Sequence, residues 1–269
     1  MINIKRAFSV WYRNFTVYKK LYKSSMVLNF VEPALYLLAF GIGLSSYLKE
    51  INGMPYIKFI APGIVASSSA FAATYECTYG TYVRMHYQKT FDAILATPVS
   101  LNDLILGELL WGATKSLIYG TIIIIVISVT GLVDSWTILL TIPLIFLSGL
   151  LFSEISVISA ATVPGIDSFN YFYTLFMTPL FLFSGIFFPL DNLPVVIKNL
   201  AFLNPLYHMV EIMRSASVGG GVTVGGEVTV GGEVTVGRTD FINHILWLIT
   251  ASLALILLPF KLMERKLIR

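Results

Sequence analysis

Six long runs of mostly apolar residues dominate this 269-residue chain, near 26–48, 58–83, 104–130, 136–162, 168–188 and 241–262. A bilayer core is crossed by about 20 consecutive apolar residues in a helix, so each run is long enough to span it. Charged residues make up 12% of the chain, about half the share usual in soluble domains. With 56% hydrophobic residues and a mean hydropathy of +0.79, the apolar surface exceeds what one aqueous core can bury. The expected fold is an all-α membrane protein of six transmembrane helices.

Residues 1–24 precede the first run and read as a separate interfacial helix. Ile4, Phe8, Trp11, Phe15, Tyr18 and Tyr22 recur at steps of three and four, whereas Arg6, Arg13 and Lys20 fall elsewhere on the wheel. That pattern suits a headgroup layer. Six Lys or Arg residues lie in this segment, and the following run is too long for the apolar part of a signal peptide, so the segment is expected to be retained. Twelve basic residues near the span ends fall on the side of the two termini and five on the other. The imbalance places both termini in the cytoplasm of a multi-pass protein of the cell (inner) membrane.

Three segments between spans stand out. Residues 85–97 form a short amphipathic stretch with Tyr87, Phe91, Ile94 and Leu95 on one face; Pro98 ends it, and Ser100 with Asp103 reads as the cap of the third span. Residues 189–216 are apolar but broken by Pro189, Pro194 and Pro205, and are expected to dip into the outer leaflet and return. In the outer loop 217–240, VTVGGE occurs at 222–227 and again at 228–233. Alternating Val-Thr-Val with Gly-Gly predicts a loose loop or a small β-ribbon.

Chemistry-bearing motifs are scarce. Gly107, Gly112 and Lys115 do not match a phosphate-cradling loop, because the lysine is displaced and the segment lies in a span. The patterns HExxH, CxxC and GxSxG are missing from the sequence. Cys77 is the single cysteine, and His86, His208 and His244 are far apart, so no metal site is expected. The charged groups within or near spans are Glu32, Glu76, Glu108, Lys115 and Glu154; such groups face protein or water. Glu108 and Lys115 share a helix face about 10 Å apart along the axis, too far for direct pairing without a third group. Glu76 and Glu154 are candidates for a polar path. The small residues at 66–70 and 72–74 predict a close helix contact on the second span.

Taken together, the stretches LATPVSLNDLILGELLWGATKS (95–116), SGIFFPLDNLP (184–194) and LNPLYHMVEIMR (203–214) resemble ABC type-2 exporter permeases. TYECTYGTYVRMHYQKTFDAILATP (74–98) is similar to the NodJ-like branch, the lipo-oligosaccharide exporters. The resemblance implies a homodimer, each copy binding a cytoplasmic ABC ATPase that carries ATP and Mg; this chain itself holds no cofactor, is not an enzyme and has no nucleic-acid partner. It implies a coupling helix at 85–97, where Arg84, His86, Tyr87, Lys89, Phe91 and Asp92 are the docking candidates. Lipid-linked glycans, glycolipids and amphipathic drugs are the implied cargo. Tyr36, Phe172, Tyr173 and Phe176 would line the path with Glu76 and Glu154, since aromatic rings stack on sugars. Two other readings are weighed: a secondary transporter, which needs matched discontinuous spans, and a membrane enzyme acting on lipid-linked sugar, which needs clustered carboxylates or metal ligands.

Overall fold

The computed structural model describes residues 2–51, 53–190, 193–218, 229–230, 233–234 and 238–267. Helix α1, Ile4–Tyr36, opens on Asn3, whose side chain accepts from the Lys5 amide, and continues as a π-helical stretch through Leu37–Gly43. The helix runs without a break from the segment expected to be interfacial into the first apolar span, Ser25–Gly43. The reason is packing. Ala7 and Val10 are buried against α4, where a Cβ on Gly107 would sit 2.6 Å from the Val10 Cβ. Trp11 Nε1 donates to Thr114 at 2.9 Å, and the rings of Phe15 and Tyr18 meet Trp111. The aromatic stripe is therefore partly spent on a neighbouring helix, while Ile4 and Phe8 stay exposed.

A short antiparallel pair, β1 (Glu50–Ile51) and β2 (Met54–Pro55), turns the chain at Gly53, φ 72°, into α2, Tyr56–Tyr75. Two π-helical segments, Glu76–Gly80 and Val83–Tyr87, prolong α2. Lys89, with φ 52°, then breaks the rod and starts the short helix α3, Thr90–Leu95. The amphipathic element expected over 85–97 is thus shorter than its sequence pattern; 85–87 complete α2. Ser100 and Asp103 form the expected capping box on α4, Leu101–Val129. The other Asp103 oxygen accepts from the Asn3 amide at 2.6 Å, tying the start of α1 to the start of α4.

A 3-10 turn, Trp136–Thr141, leads into α5, Ile142–Thr162. Helices α4 and α5 approach closely because glycines face them: a Cβ on Gly149 would collide with Ser116, and one on Gly112 with Cys77 and Ser153. The following segment is broken. After a 3-10 turn at Ile166–Ser168 come α6 (Phe169–Phe172), a π-helical stretch Tyr173–Met177 and α7 (Thr178–Leu182). Helix stops there, short of the 188 expected: Phe183 leaves the helical region at φ −100° and ψ 24°, and Gly185 then takes a left-handed φ of 79°. Helices α8 (Val195–Phe202) and α9 (Pro205–Ser217) follow, then α10 (Arg238–Leu255) and α11 (Leu257–Leu267). Asp191 and most of the VTVGGE repeat lie outside the described residues. Within the repeat, β3 (Thr229–Val230) pairs antiparallel with β4 (Glu233–Val234).

Among the described residues, five helices are long and apolar enough to cross a membrane: Ser25–Gly43, Tyr56–Tyr87, Leu101–Val129, Trp136–Thr162 and Phe241–Leu267. The buried apolar residues of these helices and of the shorter segments packed on them form two cores, one near the start of α2 and one near its end. One gathers Tyr56, Ile60, Ile127, Ile186 and Leu206; the other gathers Tyr82, Phe91, Leu104, Phe169 and Met263.

Candidate functional site

At the second of these cores, the π-helical continuation of α2 turns Glu76 and Arg84 toward α4. Each π turn adds a residue beyond the regular repeat and so rotates the helix face that follows by about 100°. Arg84 Nη1 donates to Glu76 Oε1 at 2.6 Å, and its Nη2 and Nε donate to Glu108 Oε2 at 2.5 and 3.1 Å. Lys115 Nζ lies 3.4 Å from Glu76 Oε2. Arg84 and Glu76 together therefore join Glu108 to Lys115, which cannot meet along their own helix. Asn14 from α1 and Thr81 donate to the two Glu108 oxygens at 2.7 and 3.0 Å. Lys115 also donates to Ser25 at 2.8 Å and lies 4.6 Å from the Tyr18 ring centre. Glu108 is 1% exposed, so this network locks α1, α2 and α4 by charges that solvent hardly screens. It borders a cleft of about 400 Å³ that Arg13 and Tyr79 also line. Burial, and then the Arg84 charge, lower the Arg13 guanidinium; Glu108 opposes the shift.

The docking candidates separate into two groups. His86, Tyr87, Lys89 and Asp92 are exposed around the α2–α3 corner, Tyr87 at 65%. Arg84 belongs to the buried network, and Phe91, 1% exposed, anchors α3 in the core. Arg13 reaches Thr90 at 3.5 Å, so α3 is linked to α1 as well. Between them lies a groove of about 480 Å³ bordered by Ser9, Ala93 and Ile94.

Of the path candidates, Tyr36 and Tyr173 belong to one aromatic band. Tyr173 stacks on Tyr75 at 4.8 Å and on Tyr79 at 5.7 Å, and its hydroxyl lies 2.9 Å from the Thr78 hydroxyl. Phe71 continues the band to Phe181 at 5.7 Å, and Phe181 meets Tyr36 at 5.4 Å. Phe172 touches the Tyr173 edge and stacks on Phe176. Tyr36 also borders a cleft of about 380 Å³ between α1, α2 and α7, with Glu32, Ser68 and Tyr75. Glu76 faces the ionic network instead, and Glu154 is buried between α5 and α10, where Ser252 donates to it at 2.9 Å. Phe71, Tyr75 and Tyr79 were not among the candidates, although their spacing of four residues marks one face of α2. Ser67 and Ser68 are hidden within a small-residue stretch that reads as packing alone.

Known proteins share this architecture's sequence. The chain is 37% identical over 217 residues to "Nodulation protein J" of Sinorhizobium fredii, covering 80% of this chain and 83% of that protein. The Rhizobium meliloti protein of the same name is 36% identical, over 78% of this chain and 80% of its own length. "Inner membrane transport permease YadH" of Escherichia coli is 24% identical over 78% of this chain and 82% of that protein. The profile of the family described as "ABC-2 type transporter" matches residues 5–217, which include α1, the Glu76–Arg84–Glu108–Lys115 network, α3 and the aromatic band. This chain belongs to the ABC-2 type transporter family of membrane permeases.

Proposed function

We propose that the chain is the membrane subunit of an ATP-driven exporter, working as a homodimer with a separate ABC ATPase that carries ATP and Mg. The observation that carries this reading is the α2–α3 corner. It is exposed at His86, Tyr87, Lys89 and Asp92, yet rooted in three helices through Phe91, the Arg13–Thr90 contact and the adjacent Arg84 network. A force applied at such a corner reaches α1, α2 and α4 together, which is what coupling to a moving ATPase needs.

Six crossings with both ends in the cytoplasm accord with the contacts. Asn3 is bonded to Asp103, Lys266 donates to Val163 and Ala160, and Tyr82 donates to Pro164, so the described ends share one side. An even number of crossings fits that arrangement. The broken segment from Phe169, packed on Tyr79 and Tyr82, to Phe187, which accepts from Tyr56, supplies the sixth beside the five long helices. Helices α8 and α9 then dip into the outer leaflet. The aromatic band is the path, and the relatives' resemblance favours a lipo-oligosaccharide or other lipid-linked glycan as cargo.

The test is co-purification of a co-expressed candidate ABC ATPase from the same organism with wild type, Tyr87→Ala and Asp92→Arg. Both variants change exposed side chains and should retain at least about tenfold less ATPase, as expected for central contacts of an interface. Undiminished capture by the double variant would refute the docking role.

A further inference from the structure

The first long apolar span carries one carboxylate, and the chain leaves it unneutralised. Glu32 is exposed on α1, and among the described residues no Lys, Arg or His forms an ion pair with it. Only 18% of that span is covered by the rest of the chain, so no core explains the group's presence. A carboxylate in an apolar span is costly unless it faces water or meets a cation.

Glu32 opens onto the cleft of about 380 Å³ that Tyr36 and Phe181 border. A second, independent feature borders the same space. Ser68 also lines the cleft; its residue is 7% exposed, and its hydroxyl has no hydrogen-bond partner. A buried hydroxyl left unpaired costs free energy that an incoming polar group would relieve. Asn29 adds an amide to the same wall. The rest of the lining is aromatic: Tyr36, one turn along α1 and hydrogen-bonded through its hydroxyl to Glu32, and Phe71 both meet Phe181, at 5.4 and 5.7 Å. Ring faces attract cations and repel anions, and they hold apolar bodies. A neutral polyol would satisfy Ser68 and Asn29 but leave the charge on Glu32 uncompensated.

We propose that this cleft recognises the positively charged group of an amphipathic substrate, an ammonium or its equivalent, with Glu32 as the counter-charge, Ser68 and Asn29 as polar contacts and the rings as the apolar wall. The inference rests on reading the aromatic band as part of the transport path, and it adds a charge preference that the glycan reading does not contain.

Tetraphenylphosphonium and tetraphenylborate have the same shape and opposite charge, so they isolate the charge term. Binding of each to the full chain in phosphatidylcholine nanodiscs is measured by isothermal titration calorimetry, without the ATPase. Wild type should bind the cation and discriminate against the anion. Glu32→Gln should weaken cation binding about tenfold, while Glu32→Asp retains most of it. Ser68→Ala should weaken it by a smaller factor. Cation binding unchanged in Glu32→Gln, or equal affinity for both probes in wild type, would overturn the proposal. Failure of the ATPase to co-purify would leave these affinities untouched, so the two readings fail separately.

Discussion

Replacing Arg84 with Met removes one charge from the network while keeping much of the side chain's apolar volume. Glu108, 1% exposed, would keep its hydrogen bonds from Asn14 and Thr81 but lose its cation. Glu76 would keep Lys115, at 3.4 Å. Removing one partner of a buried ion pair leaves an uncompensated charge and costs about 3–5 kcal/mol. For a chain of this size that corresponds to a fall in apparent Tm on the order of 10 °C. Cys77 provides the assay. It is the single cysteine, is 0% exposed, and its thiol lies 3.8 Å from the Glu108 carbonyl, at the seam between α2 and α4. Maleimide labelling of the detergent-solubilised protein against temperature therefore reports the opening of this seam. Lys115→Met should shift the labelling midpoint less than Arg84→Met, because Arg84 still holds Glu76 at 2.6 Å. Adding Glu108→Gln to Arg84→Met should recover part of the loss, since the orphaned charge is then gone; neighbouring groups of this kind couple by about 0.5–3 kcal/mol. An unshifted midpoint in Arg84→Met, or a double variant that loses as much as the two single variants combined, would refute the reasoning.

Two further outcomes are expected. Gly149→Leu forces a side chain into Ser116 on α4, and overpacking of this kind costs about 1–3 kcal/mol; it should lower the labelling midpoint while Leu at Gly165, where an added Cβ would have nothing within 4 Å, does not. His208, outside the five long spans, lies 2.7 Å from His244 between ring Nδ1 atoms, and burial pushes its imidazole down to about 4. A folded-state value below the unfolded value of about 6.5 means that its contribution is fully present above pH 6.5 and is lost as pH falls toward 4. Midpoints measured across that window should fall on acidification in wild type and fall less in His208→Asn; identical slopes would remove His208 as the cause.

The membrane class, the positions of the long helices and the capping box at Ser100 were legible in the sequence, because each rests on local order along the chain: apolar run length, or two polar residues three apart. Family membership was legible for the same reason, in contiguous stretches such as 95–116. The contact of the first 24 residues with α4 was not legible, because an aromatic stripe looks alike whether it meets headgroups or Trp111 on another helix. The partners of Glu108 and Lys115 were beyond reach of the sequence: their link runs through Glu76 and Arg84 on a different helix, and π-helical turns, which have no periodic signature of their own, set which way those two side chains face. That no ion pair forms at Glu32 among the described residues, and that the Ser68 hydroxyl is unpaired, belong to the same class of fact. Composition and spacing are properties of the chain taken in order, whereas neutralisation, burial and a shared cleft arise only when helices distant in sequence are laid side by side.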